Sequence, residues 1–186
     1  GMITGEILGT ILIAPHQYPN LSRERALAEE FGLELIEAKD RQEFRAAMPD
    51  AAVVLVTPYA RVEAEDFAAM KHCRAVVRYG IGYDNIEVAA ATVPVSIVPG
   101  SASEEVGSHA LAMGLALARR LPHGSAAISA GGWAGSIGYD TPKLTELEVG
   151  VLGMGRIGRH VATWWSALGA RVHAYDPFAE FSMVHL

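Results

Sequence analysis

Short apolar runs alternate with amphipathic segments through the first hundred residues of the chain. The third run is apolar on both faces, as strands of a parallel sheet are. The predicted strands cover residues 10–14, 33–36, 51–57, 74–79 and 93–98. Because segments with helical spacing separate these runs, the pattern predicts an α/β fold with a parallel, doubly wound sheet.

Helices are predicted between these strands from their capping residues and their apolar spacing. Ser22 is expected to cap the first helix and Gly32 to end it, with Leu27 and Phe31 near helical spacing. The next helices are predicted after Asp40 and over residues 63–71 and 84–91. We therefore expect residues 1–99 to form a flavodoxin-like domain.

A longer helix is predicted over residues 103–120, with Pro122 just after it. Four small residues lie near one side of this helix: Gly107, Ala110, Gly114 and Ala118. A stripe of small side chains lets another helix approach closely, and two interpretations are open. The stripe packs within its own domain, or it forms an interface between subunits.

A glycine-rich segment without periodicity, residues 131–145, precedes a final strand–helix–strand pattern at residues 147–176. Its strands are predicted at 147–152 and 171–175, and its helix at 156–168. We expect residues 100–186 to form an incomplete Rossmann-type domain, because a full one has two such halves.

Composition and charge narrow the class of protein. Hydrophobic residues make up 51% of the 186, and a net charge of -6 argues against the basic surface that nucleic-acid binding needs. No uncharged stretch is long enough to predict a membrane span. The single cysteine, Cys73, fits a reducing compartment, so a cytoplasmic protein is predicted. His72 beside it has no second pair of ligands nearby, so no metal site is predicted.

The final unit contains a glycine motif, Gly-x-Gly-x-x-Gly, at Gly153, Gly155 and Gly158. It follows a predicted strand and opens a predicted helix, which is the context of a dinucleotide-binding turn. Gly153 allows the tight turn, Gly155 lets a pyrophosphate approach the backbone, and Gly158 lets helix and strand pack closely. Free backbone amides and the helix dipole then attract the diphosphate.

Asp176 ends the strand after this helix, 18 residues beyond Gly158. A carboxylate at this position accepts hydrogen bonds from the ribose hydroxyls of adenosine and repels a 2′-phosphate. The next four residues, from Pro177 to Glu180, include no cation. The sequence therefore predicts NAD(H) rather than NADP(H), and a glycine turn without a ligand is the alternative interpretation.

A second glycine-rich turn, residues 79–85, follows the fourth predicted strand. Open α/β sheets bind ligands at the carboxyl ends of their strands, and exposed amides in such a turn can hold a carboxylate. From the residues alone, a plain connection between a strand and a helix is an equal alternative.

Together these segments resemble the D-isomer-specific 2-hydroxyacid dehydrogenases. Similar stretches are 76–86 (VVRYGIGYDNI) for the family's substrate-side turn, 98–106 and 109–122 for its interdomain segment and first cofactor-domain helix, and 150–158 for its dinucleotide turn. The resemblance covers about residues 53–177 and is nearest to phosphoglycerate-dehydrogenase-like and C-terminal-binding-protein-like members. It implies two doubly wound domains and hydride transfer between NAD(H) and a 2-hydroxy or 2-keto acid.

The resemblance also implies roles for particular residues. They are the amides of Ile81 and Gly82 for the substrate carboxylate, the amides of Arg156 and Ile157 for the pyrophosphate, and Ser103 and Val106 for the nicotinamide side. The chain departs from the family's usual pattern at Ile97, Gly107 and Ser108, which are core or near-cofactor positions.

The family's catalytic Arg, Glu and general acid/base His all lie downstream of the second strand of the cofactor domain, and this chain ends at Leu186. No catalytic residue is therefore assigned here, and His109 is expected to be structural. We expect a truncated chain that is inactive by itself, binds NAD weakly and forms a homodimer. The alternative is a non-catalytic truncated relative that acts as a dimerising or nucleotide-binding interaction module.

Overall fold

The computed structural model describes residues 9–133, 135 and 140–179. The chain divides into two compact units, Gly1–Ser101 and Ala102–Leu186. The strands of the first unit are β1 (Thr10–Ile13), β2 (Glu34–Glu37), β3 (Ala51–Val56), β4 (Ala75–Arg78) and β5 (Val95–Ser96). Its helices are α1 (Ser22–Glu30), α2 (Arg41–Ala47) and α3 (Ala64–Ala69).

The five strands form one parallel sheet in the order β2-β1-β3-β4-β5. This is the flavodoxin-like order, so the predicted parallel, doubly wound α/β fold is confirmed. Strand order reverses between β1 and β3, and ligands of open α/β sheets bind at the carboxyl edge near such a point. The loops after β1, β3 and β4 all lie at that edge.

The core of the first unit lies on both faces of the sheet. One face holds Leu12, Val54, Phe44 and Phe67, all at most 1% exposed. The other face holds a smaller cluster around Ile13. Burying each of these large side chains contributes about 1.5–3 kcal/mol, which makes the sheet a rigid base for the loops at its edge.

The start and the inner face of α1 differ from the prediction. Leu21 rather than Ser22 is the N-cap, and Asn20 accepts hydrogen bonds from the Ser22 amide and hydroxyl. The helix buries Ala28, whereas Leu27 and Phe31 are about half exposed. Gly32 follows the helix with a φ of +65°, so the predicted end of α1 is confirmed.

The predicted helix over residues 84–91 is wrong, because only a short 3₁₀ turn forms there, at Val88–Ala90. The chain is extended at Ile86, which pairs in parallel with Val62. The Val62 amide donates to the Asn85 carbonyl, and the Glu87 amide donates to the Val62 carbonyl. This tertiary pairing replaces the helix.

The second unit contains α4 (Ser103–Ala118), α5 (Leu121–Ser129), β6 (Glu148–Leu152), α6 (Arg156–Ala167) and β7 (Arg171–Tyr175). Strands β6 and β7 pair in parallel over five residue pairs, so the predicted βαβ unit is present. The predicted loop 131–145 falls partly outside the described residues. Within the described ranges, no helix is long and apolar enough to cross a membrane.

Helix α5 was not predicted. The pattern indicated one helix to residue 120, but Arg120 adopts a left-handed conformation (φ 53°) that breaks the chain into two helices. Pro122 lies in the first turn of α5, where its missing N–H costs no hydrogen bond. The proline therefore begins a helix here.

The small-residue stripe of α4 packs against α6. A side-chain carbon added to Gly114 would lie 2.6 Å from Trp165 Cζ2, and one added to Gly107 would lie 3.1 Å from Trp164 Cζ3. At these two glycines the structure supports packing within the same unit, the first of the two interpretations.

Candidate functional site

The glycine turn between β6 and α6 is built on two glycines that the fold requires. Gly153 has a φ of +96°, which residues with side chains rarely adopt, and its amide donates to the Tyr175 carbonyl at 2.8 Å. A side-chain carbon on Gly158 would lie 1.8 Å from the Gly153 carbonyl oxygen. No other residue type fits at Gly158 without moving the turn.

Gly155 is different, because nothing in the protein requires a glycine there. Its φ of −74° suits any residue, and a side-chain carbon built on it meets no atom within 4 Å apart from its chain neighbours. The amides of Gly155, Arg156 and Ile157 donate to no residue in the described part of the chain. Open space above unpaired amides at a helix N-terminus fits a diphosphate.

Asp176 holds this turn from the end of β7. Its Oδ2 accepts a hydrogen bond from the Met154 amide at 2.7 Å, and its Oδ1 accepts one from the Phe178 amide at 2.8 Å. These bonds, the Met154 bond first, lower the pKa of the Asp176 carboxyl. Each carboxylate oxygen retains a further lone pair, so the group can still accept a hydrogen bond from a ribose hydroxyl.

Met154 and Arg159 are two residues of this site that the sequence analysis missed. The Met154 side chain is 2% exposed in the core of the second unit, and Arg159 Nε donates to the Met154 carbonyl at 2.9 Å. Met154 occupies a variable position of the motif and Arg159 follows its last glycine, so the glycine pattern gave no signal for them. An apolar residue between two motif glycines was the available hint of an anchor.

Ser103 and Val106 lie one turn apart at the start of α4. Ser103 is 7% exposed, and its hydroxyl has no hydrogen-bond partner among the described residues. Val106 is 48% exposed. A buried, unpaired hydroxyl costs free energy until something pairs with it, so a polar ligand group fits this end of the helix.

The candidate substrate turn follows β4. Gly80 has a φ of +127°, and the amides of Ile81 and Gly82 donate to no residue within the described ranges. Both residues are exposed. Two neighbouring free amides at the carboxyl end of a parallel strand can hold a carboxylate.

A buried arginine that the sequence analysis did not single out supports this turn. Arg78 is 7% exposed, and its Nε donates to Asn85 Oδ1 at 3.0 Å. The Asn85 amide group donates to the carbonyls of Thr57 and Ala60, which ties the turn to the end of β3. Its Nη1 donates to the Tyr79 carbonyl, and no carboxylate pairs with Arg78 in the described part of the chain, so no ion pair neutralises its charge there.

Two tyrosines, Tyr18 and Tyr79, border the candidate substrate turn after β4. A cavity of about 370 Å³ is lined by Tyr18, Tyr79, Gly80, Val98 and Ser101. The Tyr79 hydroxyl donates to Glu24 Oε1 at 2.5 Å. Burial, together with this carboxylate, raises the pKa of Tyr79 well above its usual value, so the phenol stays protonated.

The parallel βαβ unit and its glycine turn define the second unit as a dinucleotide-binding fold. Residues 111–184 match the family model of the D-isomer specific 2-hydroxyacid dehydrogenase NAD binding domain. Residues 111–184 therefore belong to the NAD binding domain of this family. The predicted family and its cofactor, NAD, are confirmed.

Relatives across bacteria and archaea support this assignment. The D-3-phosphoglycerate dehydrogenase of Mycobacterium tuberculosis is 37% identical over 174 residues, 92% of this chain and 32% of that protein. The enzyme of the same name from Archaeoglobus fulgidus is 34% identical over 74% of this chain and 27% of its own length. The chain thus spans about a third of the curated relatives it matches.

A solved structure supports the fold. The D-lactate dehydrogenase from Aquifex aeolicus, complexed with NAD and lactic acid, has a TM-score of 0.81 and 22% sequence identity. The match covers 93% of this chain and 53% of that chain.

Proposed function

We propose that the protein to which these residues belong is an NAD-dependent oxidoreductase of the D-2-hydroxyacid dehydrogenase type, similar to phosphoglycerate dehydrogenase. Its reaction is hydride transfer between NAD(H) and a 2-hydroxy or 2-keto acid. The observation that carries the proposal is Gly155, whose missing side chain leaves open space above three unpaired amides. Bound NAD supplies the hydride acceptor, and the protein supplies its position.

The second unit holds the cofactor in this proposal. Gly153 and Gly158 shape the turn, and the amides of Arg156 and Ile157 beside Gly155 bind the diphosphate. Asp176 accepts hydrogen bonds from the adenosine ribose and repels a 2′-phosphate, which favours NAD over NADP. The unpaired Ser103 hydroxyl, with Val106 one turn later, serves the nicotinamide side.

The first unit holds the substrate. The free amides of Ile81 and Gly82 bind the carboxylate of the 2-hydroxy or 2-keto acid, and the buried Arg78 supplies a positive charge that offsets the anion. Because the carboxylate is bound mainly by backbone, this turn serves acids with different side chains.

The 186 residues alone are proposed to be catalytically inactive, because no residue in the described part of the chain is assigned the general acid/base role. His109 lies exposed on α4 and is not assigned that role. Incubation of the chain with NADH and a panel of 2-keto acids is expected to give no turnover. Turnover by the pure chain would contradict this part of the proposal.

We further propose a cytoplasmic homodimer. Helices α4 and α5 expose several large apolar side chains, namely Met113, Leu117, Leu121 and Ile128. Such a surface is typical of an interface. This observation equally favours the second candidate function, a dimerising or nucleotide-binding module without catalysis, and the activity of a longer protein containing the chain separates the two.

The proposal is tested by adding one methyl group at Gly155. Gly155→Ala suits the local φ and has room, so the protein should fold normally, but the methyl group blocks the approach of the diphosphate. Gly150→Ala is the matched control, because it also adds a methyl group in open space. Calorimetric titration with NAD is expected to show weak binding to the parent and control and none to Gly155→Ala. Equal binding by all three proteins would overturn the proposal.

A further inference from the structure

Arg159, on the first turns of α6, bonds to two consecutive carbonyls of the glycine turn. Its side-chain Nε donates to the Met154 carbonyl at 2.9 Å, and its backbone amide donates to the Gly155 carbonyl at 3.1 Å. Both carbonyls therefore face Arg159. One residue fixes the orientation of two neighbouring peptide groups.

The orientation of these carbonyls decides where the following amides point. In a trans peptide, the C=O of one residue and the N–H of the next point in opposite directions. Turning the carbonyls of Met154 and Gly155 toward Arg159 therefore turns the amides of Gly155 and Arg156 away from it. These amides pair with no described residue, so they are free for an anion.

The N-terminus of α6 carries charges of the sign that helix N-termini disfavour. Helix N-termini favour acidic residues, yet the first turns of α6 carry Arg156 and Arg159, and no acidic residue lies in its first turn. A broken local rule is expected where function requires it. After the backbone bonds from Met154, Phe178 and Ala179, the Arg159 charge also lowers the pKa of the Asp176 carboxyl.

We propose that Arg159 is a positioning residue for the cofactor: its side chain clamps the Met154 carbonyl and so aims the Gly155 amide at the diphosphate before the dinucleotide binds. This inference rests on the proposed function, since it takes the glycine turn as the diphosphate site. The positive charge of Arg159 also offsets the repulsion between Asp176 and the diphosphate.

Arg159→Lys tests the clamp, because lysine keeps the charge but loses the planar Nε–H that reaches the carbonyl. Arg171→Lys is the matched control, since the Arg171 side chain in the same unit bonds, among the described residues, only to the exposed Glu148. Titration by NMR with ADP-ribose and with adenosine separates diphosphate binding from nucleoside binding. We expect Arg159→Lys to weaken ADP-ribose binding about tenfold and to leave adenosine binding and the control unchanged.

A second measurement needs no variant. In the ligand-free parent, the Arg159 Nε–H should exchange slowly with solvent, whereas that of Arg171 should exchange fast. Fast exchange at Arg159, or ADP-ribose binding by Arg159→Lys equal to that of the parent, would overturn the inference. A parent that binds no ADP-ribose would count against the proposed function alone, and the exchange rate would still decide the clamp.

Discussion

The Oδ2 atom of Asp176 accepts a hydrogen bond from the backbone amide of Met154 at 2.7 Å. The side chain proposed to bind the ribose therefore also holds the turn proposed to bind the diphosphate. Met154 is fixed at three points, since its side chain is buried and its carbonyl accepts a bond from Arg159. The two parts of the proposed dinucleotide site are thus one hydrogen-bonded structure.

Asp176→Asn is expected to weaken ADP-ribose binding and to reduce the preference over its 2′-phosphorylated form. An amide has one acceptor oxygen, so it cannot accept from both Met154 and Phe178 through separate oxygens, and it does not repel a phosphate. Calorimetry with the two ligands measures both effects. Asp140→Asn, at an exposed position of the same unit, is the control, and an unchanged preference in Asp176→Asn would contradict the assignment.

The order of the glycine turn should be independent of pH in the neutral range and be lost only in acid. Because the pKa of Asp176 is lowered in the folded chain, its stabilisation is fully present above the unfolded pKa of about 3.9. This stabilisation is lost as the pH falls through the pKa that Asp176 has in the folded chain. The amide chemical shift of Met154 should therefore stay constant from about pH 8 to pH 5. A transition at neutral pH would contradict the hydrogen-bonding scheme.

Gly158→Ala should destabilise the second unit by about 3 kcal/mol or more, because the added carbon overlaps the Gly153 carbonyl at 1.8 Å. Urea denaturation measures the free energy of unfolding. Gly150→Ala should leave it unchanged or slightly raised, since alanine suits a strand better than glycine. Equal stabilities of the two variants would mean that Gly158 does not approach Gly153 so closely.

Asn85→Ala should lower the free energy of unfolding of the first unit by about 1–3 kcal/mol. The change removes the acceptor for the buried Arg78 Nε and both donors to the carbonyls of Thr57 and Ala60. Asn20→Ala serves as the control. The hydrogen bonds of Asn20 lie at the surface, so their loss should lower the free energy of unfolding by less. If the two variants are equally stable, Arg78 and the turn are held by other contacts.

Light scattering should give a mass of about twice 19.8 kDa for the chain in solution. Leu117→Glu should shift this mass toward the monomer, because Leu117 is 72% exposed on α4 and a charge disfavours burial there. Glu104→Gln, on the same helix but away from the exposed apolar residues of α4 and α5, should remain dimeric. A monomeric parent would contradict the proposed interface.

The sheet and the glycine turn could be predicted because their signals are local. Buried strands leave apolar runs, and Gly153 and Gly158 are fixed by backbone geometry that only glycine satisfies. The 84–91 segment could not be predicted in the same way, since its conformation depends on Val62, which lies more than twenty positions earlier. Long-range pairing of this kind overrides a helical pattern.

The candidate site shows the same division. Asp176 follows from its spacing, whereas the roles of Arg78 and Arg159 depend on hydrogen bonds to backbone carbonyls and to Asn85, which residue types and spacing do not indicate. Helix α5 was missed because Pro122 is compatible with either the end or the start of a helix, and only the left-handed Arg120 decides.

Chemical-shift mapping with ADP-ribose tests the central claim most directly. The largest changes are expected at the amides of Gly155, Arg156 and Ile157, with a dissociation constant weaker than low micromolar. The competing location is a cavity of about 410 Å³ that includes Arg119 and Arg120, at the junction of α4 and α5. Shifts confined to that cavity, or none at the glycine turn, would contradict the assignment of a dinucleotide site.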